Sequence, residues 1–135
     1  MMEKNTIHHA DWMTNDLPDG SVNLIIADPP YFEIKGDFDF VWDSFDDYLK
    51  DVEKWAVECK RLLAENGTLF WYGDDKRIAY AQIIFDKYFN LVNHLGLVDL
   101  AIGLTANTVK LSLLTCVLPA SCMGTPHNRF MLVLG

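Results

Sequence analysis

Asp28-Pro29-Pro30-Tyr31 places one carboxylate, two prolines and one aromatic ring in four consecutive residues. Proline fixes φ near about −65° and withdraws a backbone donor, and the residue before each proline is pushed toward extended backbone. The segment is therefore stiff and rich in acceptors. The ionised Asp28 carboxylate accepts, and so does the Pro29 carbonyl. Two neighbouring acceptors suit an –NH₂ group, which has two hydrogens to donate. The Tyr31 ring offers a flat face on which a base would stack at about 1–3 kcal/mol. The four residues suit a planar heterocycle with an exocyclic amine, and adenine and cytosine both qualify. The plain alternative is a stiff turn with a capping carboxylate.

The apolar run Val22-Asn23-Leu24-Ile25-Ile26-Ala27, with Gly20-Ser21 ahead of it, predicts a buried strand ending at these residues. The carboxyl end of a strand in an open α/β sheet is where ligands bind. Upstream, Asn5-Thr6-Ile7-His8-His9-Ala10-Asp11 reads as another strand ending in a carboxylate, followed by a short helical segment over 12–17. Downstream, 32–43 carries Glu33, Gly36, Asp37, Asp39, Trp42 and Asp43 and reads as a mobile loop of a length often used as a functional lid.

Phe45, Tyr48, Leu49, Val52, Trp55, Ala56, Cys59, Leu62 and Leu63 form an i, i+3, i+4, i+7 stripe, which predicts an amphipathic helix whose stripe is core. Ser44 with Asp47 resembles a capping box at its start. Asp46 and Asp47 in its first turn and Lys60 and Arg61 in its last suit the helix dipole, and Asn66-Gly67 is expected to end it. Thr68-Leu69-Phe70-Trp71-Tyr72 predicts a buried strand ending at Gly73. A further helix, capped by Asp74 or Asp75 and running to about Tyr88, would turn Ile78, Ala81, Phe85 and Tyr88 inward. Strands alternating with amphipathic helices imply an α/β fold of parallel units with right-handed crossovers.

With these residues in place, the chain resembles the amino-group DNA methyltransferases, whose signature is Asp/Ser/Asn-Pro-Pro-Tyr/Phe. The Asp-Pro-Pro-Tyr form is similar to that of the adenine-N6 enzymes. The resemblance extends to Leu17-Pro18-Asp19-Gly20-Ser21-Val22 before the motif, to Trp42-Asp43-Ser44-Phe45 after it, and to the helix–turn–strand around Gly67. It implies a Rossmann-like S-adenosylmethionine-dependent methyltransferase sheet, and methyl transfer from S-adenosylmethionine to an adenine flipped out of double-stranded DNA. It also implies roles for residues. Asp28, Pro29, Pro30 and Tyr31 would be catalytic. Asp28, Tyr31 and Phe32 would hold the target base. Asp11, Trp12 and Asp28 would lie at the cofactor, although Asp11 could equally be an ordinary helix N-cap.

The chain departs from the family in two places. No Gly-x-Gly occurs in it, whereas the family's cofactor loop reads roughly Phe-x-Gly-x-Gly, a turn that lets backbone approach the ligand. The motif strand begins near the N-terminus, which matches the circularly permuted beta-class order: catalytic half, recognition region, then cofactor half. The expectation is a single partial catalytic domain, with the pattern clear over 1–94, divergent over 95–126, and a late strand in 127–135. Composition shifts as well, because the last 45 residues hold only Asp99, Lys110 and Arg129 as charges.

A net charge of −8 is a poor footing for DNA, whose nonspecific affinity comes from Lys and Arg neutralising phosphates. The reading resolves this by assigning the positive surface to a recognition region absent from this stretch, with a complementary cofactor-binding half as a second partner. The rival readings are an inactive remnant, half of a split enzyme, and an N-methyltransferase acting on RNA or protein. The three cysteines Cys59, Cys116 and Cys122 show no metal spacing and read as free thiols of a reducing compartment. With no signal segment and no membrane span, the expected location is cytoplasmic.

Overall fold

The computed structural model describes residues 5–33, 40–97, 111–117 and 131–134. A 3-10 turn, Trp12–Thr14, precedes strand β1 (Val22–Asp28), helix α1 (Phe45–Leu62), strand β2 (Leu63–Asp74), helix α2 (Ile78–Phe85) and strands β3 (Asn90–Leu97), β4 (Leu111–Val117) and β5 (Met131–Leu134). They form one five-stranded sheet in the order β3-β4-β2-β1-β5. β1 lies between two parallel neighbours: Ile25 pairs with Leu69 of β2 and with Met131 of β5. β4 runs antiparallel to both β2 and β3. The predicted α/β class holds, and β1–α1–β2 is its parallel crossover unit.

α1 forms as its stripe predicts. Tyr48, Val52, Ala56, Cys59 and Leu62 are buried, and Phe45, Leu49 and Trp55 pack half-buried against the same core. Ser44 caps it, its Oγ accepting from the Asp47 amide at 3.2 Å and donating to the Asp47 carboxylate at 2.8 Å. Arg61 does more than complement the helix dipole. Its guanidinium donates to Glu58, to Asp19 Oδ1 at 2.6 Å, to Asn15 Oδ1 at 3.2 Å and to the Leu17 carbonyl at 2.9 Å. The Gly20 amide in turn donates to the Arg61 carbonyl at 2.8 Å, with Gly20 at φ +63°. The 15–20 segment is thereby stapled to the end of α1, which sets the entry into β1.

Four expected boundaries move. Residues 5–11 form no strand; they are exposed throughout, and Ile7 is 98 % exposed. Its two apolar residues, Ile7 and the small Ala10, give that segment little to bury, and β5 rather than 5–11 lies beside β1. α1 ends at Leu62, ahead of Asn66-Gly67, because Leu63 turns to extended backbone and opens β2. The register of β1 against β2 slips between Val22–Leu63 and Leu24–Thr68, and Asn66-Gly67 falls in that irregularity. α2 begins after Arg77 instead of at Asp74 or Asp75, and ends at Phe85, three residues short of Tyr88. Tyr88 stays half-buried beyond the helix and donates its hydroxyl to Glu53 at 3.1 Å.

The core is strongly aromatic. Trp71 (2 % exposed) is flanked by Trp55 and Phe85, with ring centroids at 6.1 and 4.7 Å. Phe32, Trp42, Phe45 and Tyr48 continue the cluster toward the carboxyl edge of β1. Among the described residues no helix is long and apolar enough to cross a membrane.

Candidate active site

β1 delivers the Asp-Pro-Pro-Tyr residues to the carboxyl edge of the sheet. Its burial falls away at its last residue: Ile25 is fully buried and Ala27 is 6 % exposed, while Asp28 is exposed. Pro29 is buried and Pro30 and Tyr31 are half-buried. The chain then folds back so that the Tyr31 hydroxyl donates to Asp28 Oδ1. Phe32 goes inward (8 % exposed) and meets Phe45 edge-on at 5.4 Å and Tyr48 at 5.8 Å. Glu33, next in line, has φ +51°, a left-handed conformation a side chain adopts only where its surroundings hold it. The buried Phe32 ring is the anchor that holds this turn.

Of the expected site residues, the structure brings Asp28, Pro29, Pro30, Tyr31 and Phe32 together. Asp11 and Trp12 belong to a separate turn. The Asp11 side chain caps the 3-10 turn, Oδ1 accepting from the Met13 amide at 3.0 Å. The Trp12 carbonyl accepts from Asn15, which also donates to Glu58 at 2.7 Å. The N-cap expected of Asp11 forms. Of the segment read as a loop, 34–39 lies outside the described residues; Trp42 docks on α1, its indole N–H donating to Asp51 at 2.9 Å.

Two residues at this edge were missed as site candidates. Asp74, the last residue of β2, is 6 % exposed, and its Oδ1 accepts from the Lys76 amide at 3.0 Å. Burial pushes its carboxyl above the usual aspartate range, against the Lys76 amide and the Arg77 charge, which pull it down. Arg77 places its guanidinium 5.3 Å from the Phe32 ring centroid and 6.0 Å from that of Phe45. Its Nη1 forms a long ion pair with Asp74 Oδ2 at 3.9 Å, beyond hydrogen-bonding reach, and is buried without a hydrogen-bond partner among the described residues. The sequence signal was present in Asp74-Asp75-Lys76-Arg77 directly after a buried strand, but it reads equally as a helix start.

An open cleft of about 400 Å³ on α1, lined by Met13, Lys50, Glu53, Lys54, Val57 and Glu58, contains none of these residues. Among the described residues no group of three or more His, Cys, Asp or Glu side chains could hold a metal ion.

A family model for N6/N4 methyltransferases, described as DNA methylase, matches residues 22–102. The type II methyltransferase M.HpaI of Haemophilus parainfluenzae is 35 % identical over 81 residues, covering 56 % of this chain and 26 % of that protein. M.BamHI of Bacillus amyloliquefaciens is 37 % identical over 90 residues, covering 65 % and 21 %. The chain spans about a quarter of the length of these curated relatives. Among solved structures, a Thermus thermophilus protein described as a DNA modification methylase, complexed with S-adenosylmethionine, superposes with a TM-score of 0.59 at 21 % identity, over 82 % of this chain and 53 % of that one. The PvuII DNA methyltransferase, which is cytosine-N4-specific, gives 0.57 at 10 % identity, over 76 % and 44 %. These likenesses establish the fold as that of the S-adenosylmethionine-dependent methyltransferases. Together with the family match across most of β1 to β3, they show that the chain belongs to the N6/N4 DNA methylase family.

Proposed function

We propose that this chain forms the catalytic portion of an adenine-N6 DNA methyltransferase. One observation carries the reading: an exposed carboxylate, Asp28, closes the strand between two parallel neighbours, with the Tyr31 side chain folded within reach of it. Asp28 and the Pro29 carbonyl accept the two hydrogens of the target amine, and Tyr31 leaves the carboxylate to stack on the base. With both hydrogens held, the nitrogen lone pair is aimed away from the acceptors, so catalysis is chiefly positioning. Phe32 supports the turn from beneath, and Pro30 keeps it rigid. Aspartate in the first motif position favours adenine over cytosine.

The described residues fit the methyl acceptor better than the methyl donor. S-adenosylmethionine supplies the methyl group when bound. Yet no Gly-x-Gly occurs in the chain. This favours a second reading, in which the chain works with a complementary cofactor-binding half and a separate DNA recognition region.

The test is incubation of the chain with methyl-labelled S-adenosylmethionine and mixed-sequence double-stranded DNA, followed by mass spectrometry of the nucleosides. N6-methyldeoxyadenosine, lost in Asp28→Ala, is the expected product. N4-methyldeoxycytidine alone contradicts the adenine assignment. A folded chain that yields neither product contradicts stand-alone catalysis and leaves the split arrangement.

A further inference from the structure

The two arginines among the described residues are used in opposite ways. Arg61 is spent on the fold, with hydrogen bonds from its guanidinium to Glu58, Asp19, Asn15 and the Leu17 carbonyl. Arg77 has an equally defined position but no side-chain hydrogen bond among the described residues. The Phe32 and Phe45 rings at 5.3 and 6.0 Å flank it, and the Asp74 carboxylate lies 3.9 Å away. Stacking on aromatic rings orients a guanidinium without consuming its donors, of which it has five in a planar fork. The side chain is 25 % exposed while Nη1 is buried. A buried cationic nitrogen that makes no hydrogen bond among the described residues, with its ion-pair partner Asp74 held at 3.9 Å, leaves donor capacity unused at a cost in stability. Unused donor capacity beside the proposed base site points to a ligand.

The position identifies the ligand. Arg77 lies just past the end of β2, and Asp28 ends the parallel neighbour β1. The Phe32 ring that Arg77 covers belongs to the same turn as Asp28 and Tyr31. A planar, pre-oriented guanidinium matches phosphate oxygens bidentately. We infer that Arg77 is the receptor for a backbone phosphate of the nucleotide whose base enters the Asp28–Tyr31 site. The inference rests on the base site proposed above. It assigns local phosphate recognition to a chain whose overall charge of −8 repels anions.

Calorimetric titration of the full chain with 2′-deoxyadenosine and with deoxyadenosine 3′,5′-bisphosphate tests it, each on the wild type, Arg77→Lys and Arg77→Met, with thermal midpoints recorded alongside. The expected result is at least about tenfold tighter binding of the bisphosphate by the wild type, against the net charge. Arg77→Lys keeps part of that preference, because it retains the charge without the fork. Arg77→Met loses it while still binding the nucleoside. Where Arg77→Met is too unstable to titrate, Arg77→Gln, neutral and of similar reach, gives the same readout. Equal or weaker binding of the bisphosphate by the wild type, or a preference that survives in the neutral variants, overturns the inference while leaving the base site intact. Failure of both compounds to bind contradicts the base site itself, and the inference falls with it.

Discussion

The hydroxyl of Tyr31 donates to the carboxylate of Asp28 across a turn held by two prolines. The phenol and the acceptor proposed for the target base are therefore hydrogen-bonded to each other, and an amine that binds the carboxylate competes with the hydroxyl. Tyr31→Phe keeps the stacking surface and removes the competing hydroxyl, so its affinity for deoxyadenosine should equal or exceed the wild type's. Tyr31→Ala should weaken binding by about 1–3 kcal/mol, the usual worth of a stacked base. Titration calorimetry on the two variants checks this; a Tyr31→Phe loss as large as that of Tyr31→Ala would mean that the hydroxyl, and not the ring, makes the contact.

Asp74 predicts a pH dependence with a definite sign. Burial raises its carboxyl pKa in the folded chain, so the folded state holds a proton that the unfolded chain has already released. Stability from this group is full below the ordinary aspartate range, near about 3.9, and falls as pH rises through the raised folded value. Asp74→Asn keeps the acceptor for the Lys76 amide and cannot ionise. Its stability relative to wild type should climb across that window and level off above it. Denaturant unfolding at a series of pH values reads this directly, and a difference independent of pH would contradict the burial argument.

Glu58 carries the opposite sign. Its hydrogen bond with Arg61, aided by Asn15, holds its carboxyl below the usual glutamate range despite partial burial. The stabilisation is present above that range and is lost as pH falls through the depressed folded value. Glu58→Gln should therefore lose stability relative to wild type at neutral pH, and the gap should close in acid. The same denaturation series measures it; a gap that persists unchanged in acid would show that the ion pair contributes nothing.

The start of α1 tests the cap. Ser44→Ala removes the acceptor of the Asp47 amide and should cost about 1 kcal/mol. The helix carries Phe45, against which the site residue Phe32 packs. The cost should therefore be accompanied by a chemical-shift change at Phe32 in NMR spectra. Loss of stability with an unaltered Phe32 signal would separate the cap from the site.

The sequence displayed the elements that bury a continuous face and hid those that depend on partners far along the chain. The α1 stripe is periodic over its whole length and Val22–Ala27 is a nearly unbroken apolar run, so pattern alone located them. The segment 5–11 has only two apolar residues, Ile7 and Ala10, and its fate depended on which strand lies beside β1. That strand is Met131–Leu134, more than a hundred positions away, a contact no local pattern encodes. The same limit applies at the site. Asp28 to Tyr31 are consecutive and could be read as a unit. Arg77 becomes a site residue only because a parallel register of β1 with β2 brings the two strand ends together. Likewise Asn66-Gly67 carries the local chemistry of a helix end, yet Leu63 pairs with Val22 and takes the chain into the sheet first.

The central claim is that Asp28 and the Pro29 carbonyl read the two hydrogens of an exocyclic amine. The most direct measurement compares the affinity of the chain for 2′-deoxyadenosine with that for N6,N6-dimethyl-2′-deoxyadenosine, which keeps the ring and lacks both hydrogens. The account predicts at least about tenfold weaker binding of the dimethyl compound, the worth of one charge-assisted hydrogen bond. It also predicts that Asp28→Ala lowers deoxyadenosine binding to a similar level. Equal affinities for the two nucleosides in the wild type would contradict it.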